Sequence, residues 1–150
     1  MTISKLLFLF LATATIALCM TATKEEKKEI TCLAKAIYFE SRGDSFEGQV
    51  AVANVVMNRL NHWNYKSICE TVYDKGQFSW SSSKTIINDK KSWKDCENLA
   101  TYVYVGLIWD NTGGALFFHE PKIKPKWSKR LVKVGRIGAH MFYRVPIVTS

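Results

Sequence analysis

Ile30, Leu33, Ala34, Ile37 and Tyr38 recur at three- and four-residue spacing. That apolar stripe predicts an amphipathic helix. Thr23 followed by Glu26 has the form of a capping box that would open it, and Gly43 is placed to close it just after Ser41. Asp44 or Ser45, with Glu47 or Gly48, opens a second helix ending near Asn61, and Asp44 with Glu47 suits a capping box. Val50, Val52, Ala53, Val55, Val56, Met57 and Leu60 make this second helix apolar almost all round, as a central buried element is. From His62 to Asp95 the periodicity breaks. Tyr73–Trp80 and Ser81–Ser83 read as loop and turn, with a short helix near Ile68–Tyr73. This stretch holds Trp63, Tyr65, Tyr73, Phe78, Trp80 and Trp93, so it is expected to be an ordered wall. A third helix is expected over Cys96–Trp109. After a turn at Asn111–Gly114, Ala115–His119 reads as a strand, and Leu131–Val134 with Ala139–Val145 as a further strand pair. The pattern is α+β: about three helices followed by a small antiparallel β-sheet.

The N-terminus stands apart. Lys5 precedes an apolar run, Leu6 to Leu18, then small residues through Ala22 and a charged block from Lys24 to Glu29. That order is the one expected of a secretory signal. The run is short for a spanning helix, which needs about 20 apolar residues. Residues 1–23 are therefore read as a signal peptide or short membrane-inserting segment, and residues 24–150 as the folded domain. The first reading makes the domain secreted, periplasmic or wall-associated. The second allows transient membrane contact and tethering before release. Cys32, Cys69 and Cys96 remain after the leader. In an oxidising compartment Cys69–Cys96 is the expected bridge, since both flank the irregular region, with Cys32 a buried free thiol.

At 150 residues and 47% hydrophobic content, one ordinary core is expected without a metal or dense disulfide scaffold. No cysteine or histidine spacing suggests zinc, and no cofactor fingerprint appears. The charge of +8 and pI of about 9.4 suit an anionic polymer. The basic run Lys122, Lys124, Lys126, Lys129, Arg130, Lys133 and Arg136 is either a solvated face or a polymer contact. No nucleic-acid recognition motif accompanies it, and the chain is expected to act as a monomer.

Glu40 carries the candidate chemistry. It follows Tyr38 and Phe39 at the end of the first helix, and Phe78 and Trp80 are the aromatics expected to approach it. Desolvation would raise its pKa, which suits a general acid that protonates a glycosidic oxygen. Glycosidases usually need a second carboxylate. Asp44 and Glu47 are assigned to capping, and Asp74 in the aromatic loop is the best second candidate. A single acid suffices where the substrate supplies its own nucleophile. Nucleophile motifs are absent: there is no G-x-S-x-G, and Cys32 has no adjacent base. His119 and His140 fall in expected strands. A lone strand histidine is usually structural, unless both point inward near Glu40.

These residues, taken together, resemble the SleB-type cell wall hydrolases, the spore-cortex-lytic enzyme family. The resemblance runs from about Thr31 to Arg144. It rests on Ile37–Asp44, where the family tends to read "YxEARGE"; Gly48–Ala53 with Asn58-Arg59; Ile68-Cys69 through Tyr73; Gly76–Trp80; Gly114–His119; Pro125–Trp127; and Arg136–Arg144. Ser41 and Asp44 stand where the family usually has Ala and Glu. The resemblance implies a lysozyme-like domain that cleaves the glycan strands of peptidoglycan at the MurNAc–GlcNAc bond. It implies Glu40 as the catalytic acid, and Gln77, Phe78, Ser79 and His119 as groove-lining, substrate-binding positions. It also implies a lytic transglycosylase or muramidase outcome, with anionic wall polymers as further partners. The rival readings are an N-acetylmuramoyl-L-alanine amidase and a non-catalytic, basic wall-binding protein.

Overall fold

The computed structural model describes residues 22–147. Its first helix, α1 (Lys24–Ser41), opens with the expected capping box. The Glu26 N–H donates to the Thr23 hydroxyl at 3.1 Å, and the Thr23 N–H donates to the Glu26 carboxylate at 2.7 Å. Two donors that a first turn leaves without partners are thereby satisfied. Leu33, Ala34, Ile37 and Tyr38 of the apolar stripe are fully buried. The leader assigned to residues 1–23 falls almost wholly outside the described residues. Among the described residues no helix is long and apolar enough to cross a membrane.

Helix α2 (Phe46–His62) sits at the centre, as its all-round apolar character requires. Val50, Ala53 and Val56 join the core formed with α1. Ala51, Val52 and Val55 face the other way, onto Ala115 and Phe142. One helix therefore holds the helical layer against the sheet.

The turn between α1 and α2 departs from expectation. Gly43 does not take the left-handed conformation of a capping glycine; Arg42 ends α1 in the right-handed helical region. The Asp44 N–H closes the turn on the Ser41 carbonyl at 2.9 Å. Of the two expected caps for α2 it is Ser45 that serves, accepting from the Gly48 N–H at 3.2 Å. The Asp44 carboxylate is occupied with partners far along the chain.

Helix α3 (Ile68–Tyr73) is the short helix expected in the aromatic region. Its N-terminus is held by α1. The Glu29 carboxylate accepts from the Ile68 N–H at 2.5 Å and the Cys69 N–H at 3.2 Å. That contact brings Cys69 onto α1 one turn beyond Glu29, and Cys69 bonds to Cys32. The expected Cys69–Cys96 pairing is therefore wrong; Cys96 is the free, buried thiol. Burial pushes the Cys96 thiol pKa up to about 11. The Cys32–Cys69 bridge spans 37 residues, worth about 4 kcal/mol in the chain-entropy account.

Helix α4 covers Lys90–Tyr104, not Cys96–Trp109. Asp89 supplies the cap, accepting from the Ser92 N–H at 3.0 Å. Polar first turns conceal this start in the residue pattern, and Gly106 at φ +76° marks the exit from the helix. Leu107 and Trp109, expected within it, lie exposed beyond it.

Strands β1 (Phe117–His119), β2 (Val132–Ile137) and β3 (His140–Arg144) form an antiparallel sheet in the order β1-β3-β2. The register skips Val134, because Lys133 pairs with Tyr143 and Gly135 with Phe142. Gly135 at φ +146° absorbs this bulge. The α+β architecture is the one the residue pattern predicts.

Candidate active site

Glu40 lies in the last turn of α1, half-buried, at the edge of a groove of about 690 Å³. Its Oε1 accepts a hydrogen bond from the Trp80 indole N–H at 2.8 Å. Trp80 packs against two rings: Phe39 at 4.9 Å and Phe78, stacked, at 5.7 Å between centroids. Trp80 belongs to a short 3₁₀ turn, Ser79–Ser82, directly after Phe78. The sequence places Trp80 near Glu40 but gives it no role. Burial raises the Glu40 pKa, while the Trp80 hydrogen bond and the Arg59 charge partly oppose the rise.

Arg59 is the residue that sequence reasoning misses here. It is only 7% exposed, and its Nε–H donates to the Leu116 carbonyl at 2.8 Å. Its guanidinium lies 5.2 Å from the Phe78 ring centroid and 6.0 Å from that of Trp63. Burial lowers its pKa to about 10, and Glu40 is the largest charge acting the other way. It is therefore a buried cation whose charge acts on the Glu40 carboxyl. Its Nη1 has no partner among the described residues. The Asn58-Arg59 pair belongs to a family motif, but nothing local says that a helix arginine turns inward.

The other substrate-binding expectations fall at different depths. Phe78 is buried, packing behind Trp80. Gln77 donates to the Tyr65 hydroxyl at 3.3 Å, and Ser79 is exposed at the start of the 3₁₀ turn. Asp74, the second-carboxylate candidate, accepts the Tyr65 hydroxyl at 2.6 Å. That bond holds its pKa below the usual carboxylate range, and Asp74 is not part of the groove lining. His119 stacks on Tyr143 and bonds its hydroxyl at 3.0 Å through Nε2, with Nδ1 2.7 Å from the Glu120 carbonyl.

Besides Glu40 the groove has a polar lining. Arg42, Asp44, Lys122, Arg136 and His140 line it. The Asp44 carboxylate accepts from the Ser45 N–H at 2.7 Å and, across the chain, from the Ala139 N–H at 2.9 Å. The sheet is tied to the α1–α2 turn by this one side chain. His140, opening β3, is buried and faces Asp44, with Nδ1 3.6 Å from Oδ2. Burial lowers its pKa despite the neighbouring carboxylates. Of the two strand histidines, His140 shares the groove with Glu40, whereas His119 does not line it. Among the described residues no three His, Cys, Asp or Glu gather as metal ligands would.

Residues 43–143 match the model of the cell wall hydrolase family. The chain belongs to that family. The matched stretch begins three residues after Glu40 and includes Asp44, Arg59, Trp80 and His140. The spore cortex-lytic enzyme of Oceanobacillus iheyensis is 30% identical over 120 residues, covering 77% of this chain and 41% of that protein. The enzyme of the same name from Bacillus subtilis is 31% identical over 118 residues, covering 76% and 37% respectively. The chain thus spans only about two-fifths of these relatives' length. Solved catalytic domains are matched over nearly their whole extent. The catalytic domain of the germination-specific lytic transglycosylase SleB of Bacillus anthracis aligns with a TM-score of 0.66 at 28% identity, covering 83% of this chain and all of that domain. The catalytic domain of the Bacillus cereus SleB protein aligns with a TM-score of 0.63 at 27% identity, covering 77% and 89%. The lysozyme-like fold expectation is met by these domains.

Proposed function

We propose that this chain is a peptidoglycan glycosidase of the lytic transglycosylase type, cleaving the MurNAc–GlcNAc bond with Glu40 as its single acid. The observation that carries this reading is the setting of Glu40: a carboxyl raised in pKa by burial, anchored through Oε1 by Trp80, at the rim of a groove. With Oε1 held, Oε2 is the oxygen left to carry the proton. It donates that proton to the glycosidic oxygen as the C1–O bond breaks. The carboxylate so formed is stabilised by the Trp80 N–H and the Arg59 cation. It then removes a proton from the muramic C6 hydroxyl as that oxygen attacks C1, closing a 1,6-anhydro ring and restoring the acid. Water in place of the C6 hydroxyl would give a reducing end. Neither route needs a second carboxylate, and Asp44 and Asp74 are both engaged by other groups.

Gln77, Ser79 and His119 are proposed as outer contacts for the glycan, with Phe78 acting through Trp80. The substrate places the enzyme outside the cytoplasmic membrane, and the Cys32–Cys69 bridge fits an oxidising compartment. The basic residues from Lys122 to Arg136 are exposed and suit attraction to anionic wall polymers. The test is mass spectrometry of purified peptidoglycan digested by the parent and by Glu40→Gln. The parent should release 1,6-anhydro muropeptides, and Glu40→Gln should release almost none while remaining folded. Reducing ends alone would make the enzyme a muramidase. Parent-rate digestion by Glu40→Gln would sink the assignment.

A further inference from the structure

The Asp44 carboxylate sits in a cradle built by parts of the chain distant in sequence. The Ser45 and Ala139 N–H groups donate to its two oxygens. Gly48 in α2 and Gly138 in the β2–β3 turn both approach it closely. A Cβ on Gly48 would lie 2.8 Å from Oδ1 and closer to the other carboxylate atoms, and a Cβ on Gly138 would meet the same group. Such a fit exceeds what capping a helix requires, since Ser45 already caps α2. The carboxylate faces His140, whose side chain is 10% exposed. Phe118 packs edge-on against this imidazole at 5.0 Å, and Phe142 at 6.3 Å.

The two ring nitrogens differ. Nδ1 is sealed from solvent, turned to Asp44, and without a hydrogen-bond partner among the described residues. Nε2 is not among the buried atoms left without a partner, and His140 lines the groove that holds Glu40. A neutral imidazole carries one N–H, and an adjacent carboxylate draws it to the nearer nitrogen. Nε2 is then a bare acceptor. Glycan strands present hydroxyl donors along their length.

We propose that His140 is a glycan-contacting residue, accepting a sugar hydroxyl at Nε2, and that Asp44 is the positioning residue that holds the ring in its Nδ1–H form. This inference rests on the groove being the glycan site. Charged and titratable groups that act on the ring are Asp44 from the α1–α2 turn and Glu120 and His119 from the β1 end, with Arg136 of β2 also lining the groove.

The test uses the whole chain carrying Glu40→Gln, so that substrate persists, with ¹⁵N-labelled histidine. At pH 7 the His140 signals should report an unprotonated Nε2. Titration with a purified GlcNAc–MurNAc tetrasaccharide should move the His140 Nε2 signal and the Trp80 indole signal, and leave His62 unmoved. In the otherwise wild-type enzyme, His140→Phe should lower kcat/KM by about 10-fold or more, and His140→Gln, which keeps an acceptor, should recover part of it. If Trp80 responds to the tetrasaccharide while His140 does not, or if His140 carries its proton on Nε2, the inference is wrong and the reading of the groove stands. If neither residue responds to saturating tetrasaccharide, both fail.

Discussion

Glu40 and Asp44 are two carboxylic acids four residues apart on one turn of chain, and the fold gives them opposite surroundings. Glu40 is set among Phe39, Phe78 and Trp80, with one indole N–H as its near partner. Asp44 is received by backbone N–H groups from both sides and by glycines that clear space for it. The aromatic setting favours the protonated form and leaves an oxygen free, which suits proton delivery. The backbone cradle uses both oxygens as acceptors, which suits a fixed strut. The same functional group is suited to chemistry in one place and to construction in the other because of what surrounds it.

The sharpest break in the comparison is amide substitution at each carboxyl. Glu40→Gln removes the transferable proton and should cut wall lysis by about 10²–10⁴-fold, the usual range for a general acid. The fold should not suffer. Since burial raises the Glu40 pKa, the folded state binds the proton more tightly than the unfolded chain does. The stabilisation from burying the neutral acid is full below the ordinary carboxyl range and is lost as pH rises through the raised value. Glutamine stays neutral throughout, so the Tm advantage of Glu40→Gln over the parent should widen as pH rises from the ordinary carboxyl range through the raised value. Asp44→Asn should do the reverse. Asparagine offers one acceptor where two N–H groups converge, so its amide must face a donor, costing about 1–3 kcal/mol. Urea unfolding should show a lower midpoint at unchanged m. Should folded Asp44→Asn prove as inert as Glu40→Gln, the division of roles is wrong.

Trp80→Phe probes the indole hydrogen bond to Glu40 and should have a smaller effect. It retains an aromatic ring and removes the N–H that favours the carboxylate. The Glu40 pKa should rise further, moving the alkaline limb of the pH–rate profile to higher pH. With the carboxyl no longer anchored, kcat should fall about 10-fold. An unmoved profile would mean that the indole acts on substrate rather than on Glu40.

The features of this site that are legible in the sequence are the local ones. The capping box at Thr23, the α1 stripe and the encircled apolar α2 are determined by residues within a few positions of one another, and the fold contains all three. Glu40 is legible for the same reason, since Tyr38 and Phe39 stand beside it. Asp44 is not, because helix-capping rules are local, while its deciding partner, the Ala139 N–H, lies 95 residues away. The disulfide is equally hidden, because loop position says little about which helices touch. Glu29 gripping the start of α3 settles that, and a glutamate at that spacing reads as surface. Arg59 is concealed in the same way. Its carbonyl partner is 57 residues on, and no periodicity marks one buried arginine.

The finest test of the cradle is a sign reversal at Gly48. Inside a helix, Gly→Ala ordinarily stabilises by up to about 1 kcal/mol, because glycine loses more backbone freedom on folding. Gly48 lies in the first turn of α2 with no positive φ, so the backbone there accepts alanine. The added Cβ, however, falls on the Asp44 carboxylate, which is held by its N–H donors and has little room to yield. Gly48→Ala should therefore destabilise the parent by about 1–2 kcal/mol. In an Asp44→Ala background the carboxylate is gone, and the same substitution should stabilise by a few tenths of a kcal/mol up to about 1. The coupling in this double-mutant cycle isolates the steric fit of carboxylate to glycine from either residue's separate effect. A surface capping residue would show no coupling, and additive effects within about 0.3–0.5 kcal/mol would mean that Asp44 is free to swing aside. The same cycle around Glu40 has no counterpart, because flat rings and not fitted glycines surround that carboxyl, and it is left one oxygen with which to act.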